Sequence, residues 1–154
     1  MSVPVGDLAP DFVLRDQHGQ DVQLSSYRGR RAVVLMFYPY AFSRVCTGEL
    51  CQVRDRLPDF ESDQVQLLAV SCDPMFTLRA FAESDGLTFP LLSDFWPHGA
   101  TAEAYGVLDR SGGFARRSTY ILDKQGVVRW AVHNQTPEAR DLDEQVRVLG
   151  GLGG

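Results

Sequence analysis

The run "AVVLMFY", from Ala32 to Tyr38, constrains this chain more than any other feature. It is unbroken by a polar residue and has the length of a strand, and Pro39 ends it. A strand with one wet face alternates apolar and polar residues; a continuous run belongs to a strand covered on both sides. A second buried strand is predicted by "VQLLAVSC", which spans Val65 to Cys72 and is closed by Asp73-Pro74. Two strands that need cover on both faces require helices on both faces of one sheet.

Helical periodicity supplies that cover. From about Cys46 the residues Leu50, Val53, Leu57 and Phe60 recur at three- and four-residue steps, which predicts one helix between the two runs. "FTLRAFAES" predicts a helix, "HGATAEAYGV" a short one, and "PEARDLDEQVRVLG" a last one with Pro137 near its first turn. "DFVLRDQHGQDVQL" reads as an N-terminal β-hairpin turning at Gln17 to Gly19, and "STYILD" and "VVRWAV" as a second hairpin around "KQG". The expected fold is an α/β sandwich with a mixed central sheet flanked by helices. This order is compatible with a thioredoxin-like core without singling it out.

A chain of 154 residues suits one domain, expected over residues 1–149 with a flexible Gly-rich tail at 150–154. The net charge of −5, with no basic stripe, argues against nucleic acid or an anionic membrane as partner. No apolar run approaches a membrane span, and "MSVPVGDLAPDF" has no signal-peptide pattern. Three cysteines are too few, and odd in number, for a disulfide framework, so a reducing, cytoplasmic compartment is expected. Of the fifteen basic residues only Lys124 is lysine, the usage of a GC-rich genome.

Cys46 falls in the first turn of a helix that follows a central strand. Unpaired N–H groups and about half a positive charge gather there, which favours a thiolate. By position alone Cys46 is either a nucleophile or a small buried hydrophobe. Pro39 stiffens the loop before it, and Ser43 offers a hydroxyl three residues ahead.

Here the residues resemble a known family. "PYAFSRVC" is similar to the peroxiredoxin active-site motif: Pro, three residues, Thr or Ser, two residues, Cys. "GDLAPDFVLRDQHG", "GELCQVRD", "FPLLSDFWPHG", "AYGV" and "RSTYILDKQGVVR" follow in the family's order. "SDFWPHG" resembles most the actinobacterial AhpE-type branch, which uses one cysteine. The resemblance implies a thioredoxin-like fold and a thiol-dependent peroxidase acting on hydrogen peroxide, organic hydroperoxides or peroxynitrite. It places the peroxidatic role on Cys46, with Pro39, Ser43 and Arg117 around it and Glu49 supporting the arginine; Arg116 is left as a surface charge. The AhpE-type resemblance also implies a homodimer, whereas Q-type chains can be monomers, with Phe95, Trp96, Pro97, Tyr40 and Phe42 lining the substrate pocket and a dimer interface.

Cys51 departs from the one-cysteine pattern, standing where the Q-type branch has its resolving cysteine. Along an intact helix the two Cα atoms lie roughly 8 to 9 Å apart, beyond the roughly 7 Å that a disulfide spans. A Cys46–Cys51 bond therefore requires the helix to unwind. Cys72 is an alternative resolver or a core residue. Nothing in the sequence fits a bound cofactor, since no G-x-G-x-x-G follows a strand, and the scattered His18, His98 and His133 lack ligand spacing for a metal. The reductant is thus external: thioredoxin if Cys51 resolves, mycothiol with a mycoredoxin-like protein if it does not. A peroxide sensor or chaperone switched by Cys46 oxidation is the alternative.

Overall fold

The structure, a computed structural model, describes residues 2–133 and 142–152, and of residues 44–49 the backbone only. The first apolar run forms β3 (Ala32–Phe37) and the second β4 (Val65–Ser71), paired in parallel with Phe37 opposite Val70. Every residue of β3 is buried. Val33, Leu35 and Phe37 enter the cluster on one face of the sheet, while Val34, Met36 and Tyr38 enter the cluster on the other. The missing alternation thus has a direct cause: both sets of side chains are inside, each large one contributing about 1.5–3 kcal/mol by its burial.

Among the described residues the sheet has seven strands. It adds β1 (Val13–Arg15), β2 (Asp21–Gln23), β5 (Leu91–Ser93), β8 (Ser118–Leu122) and β9 (Val128–His133), in the order β2-β1-β5-β4-β3-β8-β9. The N-terminal hairpin is therefore joined to the sheet rather than appended to it, because Arg15 on β1 pairs with Ser93 on β5. Parallel pairing links β3, β4 and β5; antiparallel pairing joins β8 to β3 and β9 to β8. The mixed sheet matches expectation. Strand β5 was hidden in "FPLLSD", where three short apolar positions give no period.

Helices α1 (Arg44–Asp55), α2 (Leu57–Phe60) and α3 (Met75–Asp85) cover the face that holds Val34, Met36 and Tyr38. Leu142, Val146 and Leu149 of α5 (Leu142–Gly151) join them. The single helix expected between the two runs is broken at Arg56, whose φ of −117° and ψ of 25° are not helical. Pro58 explains it: with no N–H to give to the carbonyl four residues back, it is tolerated only in the first turn of a new helix. The other face is covered by the short α4 (Ala100–Ala104), with Phe12, Leu24 and Tyr105. A small separate hairpin, β6 (Leu108–Asp109) and β7 (Phe114–Ala115), was not expected; Asp109 accepts the N–H of Gly112 and the hydroxyl of Ser111 in its turn.

Helix α5 continues through Gly150 and Gly151, into the stretch expected as a flexible tail. An established helix propagates through glycine at modest cost, and Leu149 packs against the core beside it. Pro137 and residues 153 and 154 lie outside the described residues. No described helix is long and apolar enough to cross a membrane.

Candidate active site

The strand register brings distant residues to one end of the sheet. Ser118 pairs with Phe37 across β3 and β8, and with His133 across β8 and β9. The C-terminal end of β3, the N-terminal end of β8 and the C-terminal end of β9 therefore lie side by side. Pro39 follows the first, Arg117 precedes the second and His133 ends the third. All three line a cleft of ≈ 640 Å³, together with Val107, Phe114 and Arg116. Open α/β sheets place their sites at such strand ends.

Pro39 is buried, Ser43 half-buried, and α1 begins at Arg44, immediately after Ser43. Cys46 is thus the third residue of α1, in its first turn as the periodicity predicts. The side chains of Cys46 and Glu49 lie outside the described residues, so the expected partnership of Glu49 with Arg117 does too. Arg117 is half-buried while Arg116 is exposed, and both border the cleft. Arg116 is held by its backbone N–H, which donates to the carbonyl of Val107 at 2.7 Å.

The loop from Pro39 to Ser43 is pinned from neighbouring elements. The ring of Tyr40 packs 5.3 Å from that of Phe114, and the ring of Phe42 packs 5.1 Å from that of Phe81 on α3. The N–H of Ala41 donates to a carboxylate oxygen of Asp73 at 2.7 Å. Phe95 and Trp96 are not among the described lining of the cleft; they stand exposed at 46 % and 81 %. The Nε2 of His98 lies 2.6 Å from the carbonyl oxygen of Gly113.

The other two cysteines differ sharply. Cys51 is half-buried within α1, and both it and Cys46 lie inside an unbroken helix. Cys72 is 7 % exposed, and its thiol is pushed up to about 12 by burial, reinforced by the negative charges of Asp94 and Asp73. Such a thiol is protonated at neutral pH and poorly suited to resolve a sulfenic acid.

Two residues of the site neighbourhood escaped the sequence reading. His133 was set aside for lack of metal-ligand spacing, yet it faces the cleft with its Nδ1 2.8 Å from the Ser118 hydroxyl. Burial lowers its pKa, so it is neutral at pH 7. The strand end in "VVRWAVH" was the only available signal. In the sequence Asp73 carries only the signal of a strand terminator. Among the described residues no group of three or more His, Cys, Asp or Glu could hold a metal ion.

A strand end, a proline-led loop, a helix with cysteine in its first turn, and an arginine just before an adjacent strand stand together on one end of an α/β sandwich. The chain belongs to the AhpC/TSA family, whose pattern matches residues 5–131. It is a peroxiredoxin, a thiol-dependent peroxidase with a thioredoxin fold. It is 51 % identical over 137 residues to alkyl hydroperoxide reductase E of Mycobacterium tuberculosis, covering 89 % of this chain and 90 % of that one. Its fold matches the crystal structure of peroxidoxin BcpB from M. tuberculosis with a TM-score of 0.84 at 31 % identity, over 96 % of each chain. It also matches Enterococcus faecalis AhpC with a TM-score of 0.86 at 27 % identity, over 98 % of this chain and 92 % of that one.

Proposed function

We propose that Cys46 is the peroxidatic cysteine and that the cleft of Pro39 and Arg117 receives an alkyl hydroperoxide or hydrogen peroxide. The observation that carries this reading is the convergence of Pro39 and Arg117 on one cleft, at the strand end from which the Cys46 helix departs. The Cys46 thiolate attacks the terminal peroxide oxygen, the S–O bond forms as the O–O bond breaks, and the alkoxide leaves and takes up a proton. The products are a sulfenic acid and an alcohol, or water from hydrogen peroxide. Arg117 stabilises both the thiolate and the charge that grows on the leaving oxygen, with the Ser43 hydroxyl and loop N–H groups as further donors. Pro39, Val107 and Phe114 give the cleft apolar walls that suit an organic substituent.

The sulfenic acid is reduced by a thiol from outside the active site. Cys51 is the internal candidate, and a Cys46–Cys51 disulfide forms once the start of α1 unwinds; thioredoxin then serves as donor. Without that bond, a small thiol such as mycothiol condenses with the sulfenic acid and releases water, and a mycoredoxin-like protein completes the cycle. The exposed Phe95 and Trp96 suit a homodimer interface; a monomer in sedimentation at micromolar concentration would remove that part.

The test is to treat the reduced protein with one equivalent of peroxide, count free thiols and map the product by mass. Loss of two thiols with a 46–51 link identifies the two-cysteine cycle. Loss of one, with oxidation at Cys46, identifies the one-cysteine cycle. An unreacted Cys46 overturns the assignment. Steady consumption of peroxide with a donor separates an enzyme from a sensor that oxidises once.

A further inference from the structure

The loop that leads into the Cys46 helix is bent against the preference of its own residues. Phe42 sits at φ 66°, the left-handed region that a residue with a bulky side chain rarely adopts. Such a conformation persists only where the surroundings fix it. The grip comes from the neighbouring strand-to-helix connection. Ala41, one residue before the bend, donates its N–H to Oδ2 of Asp73 at 2.7 Å. The same oxygen accepts the Ser71 hydroxyl at 2.7 Å, and the Asp73 carbonyl accepts the Ser93 hydroxyl at 2.6 Å. Asp73 is therefore tied to the ends of both β4 and β5. Phe42 itself leans on Phe81 of α3, so both residues of the bend are held by the same unit.

We propose that Asp73 is a positioning residue for the peroxidase reaction: through the Ala41 N–H it sets the loop that carries Ser43 to the head of the Cys46 helix. The proposal rests on Cys46 being peroxidatic. An amide donating to a carboxylate makes a charge-assisted bond, stronger than the neutral bonds that usually fix loops. Ser43 lies two residues beyond Ala41, so a loosened Ala41 moves the hydroxyl and the loop N–H groups that meet the stretching O–O bond. Asp73 is not among the described residues of the cleft lining, so its effect on the reaction passes through the loop.

The experiment compares wild type, Asp73→Ala and Asp73→Asn in two reactions of Cys46: oxidation by hydrogen peroxide, and alkylation by iodoacetamide, which requires a thiolate but no donors to a breaking O–O bond. With the loop released, Asp73→Ala slows oxidation by about tenfold to a hundredfold and alters alkylation by less than about threefold. Asp73→Asn keeps a carbonyl acceptor for Ala41 and recovers most of the oxidation rate. An Asp73→Ala protein that oxidises within about twofold of wild type overturns the proposal, as does an equal loss in both reactions. Hydrogen exchange in wild type provides a readout that needs no variant, should Asp73→Ala not fold. An Ala41 amide protected like those of the sheet supports the clamp, and one exchanging at the rate of an open loop overturns it. A wild type in which Cys46 is not oxidised refutes the peroxidatic reading itself, a result distinct from a variant that equals an active wild type.

Discussion

Strands β3 and β4 run parallel and side by side, and each leads past a proline into a helix on the same face of the sheet. Each unit also carries a cysteine, and the two stand at opposite sides of the turn. Cys46 comes after the loop, inside the first turn of α1. Cys72 comes before its loop, directly at the end of β4, where the core closes over it and Asp73 and Asp94 add negative charge. A helix start offers a sulfur unpaired N–H groups and positive potential; a strand end offers burial. The same strand-proline-helix unit seals the thiol at the strand end, whereas a cysteine beyond the turn stands where a helix start favours a thiolate.

The largest effect that tests this contrast is removal of the sulfur at the helix. Cys46→Ser is expected to lower the rate with peroxide by at least about a thousandfold, measured by single-turnover oxidation. Retained activity would erase the difference between the two connections. Cys72→Ala is expected to leave the rate within about twofold while lowering stability in urea by about 1 kcal/mol, the cost of a small vacated volume. In the folded wild type at pH 8, a thiol reagent is expected to leave Cys72 unmodified, because burial holds its thiol at about 12. Rapid labelling of Cys72 would show that the seal is absent.

The smallest effect concerns His133 at the third strand end. Burial lowers its pKa in the folded protein. The unfolded chain therefore takes up a proton near pH 6.5 that the folded protein resists. Stability is unaffected by this group above that pH and falls as the pH drops from about 6.5 toward the depressed folded value. His133→Gln is expected to flatten that part of the melting-temperature profile. An unchanged slope would remove burial as the cause.

Much of this was legible in the chain. The run at 32–38 announced one central strand because no polar residue interrupts it, the apolar core of 65–72 announced its neighbour, and the step pattern of Leu50 and Val53 announced α1. The register of β3 and β8 sets Pro39 and Arg117 on one cleft, two positions that the motif resemblance had singled out. What stayed hidden has physical reasons. The Leu91–Ser93 strand is too short for any period, and the break at Arg56 depends on one proline in an otherwise continuous pattern. Asp73 and His133 gain their places only through pairing across the sheet, which no local spacing records.

The cleft is assembled from Pro39, Arg117 and His133, each delivered by a different strand. No short stretch of this chain contains it. During synthesis the helix of Cys46 emerges long before the strands that bring Arg117 and His133, and domains fold as units once their parts are present. On the peroxidatic role proposed for Cys46, fast reaction with peroxide would report the completed sheet. A truncated chain would hold the same cysteine without Arg117 beside the loop, and is expected to react at the rate of an ordinary thiol.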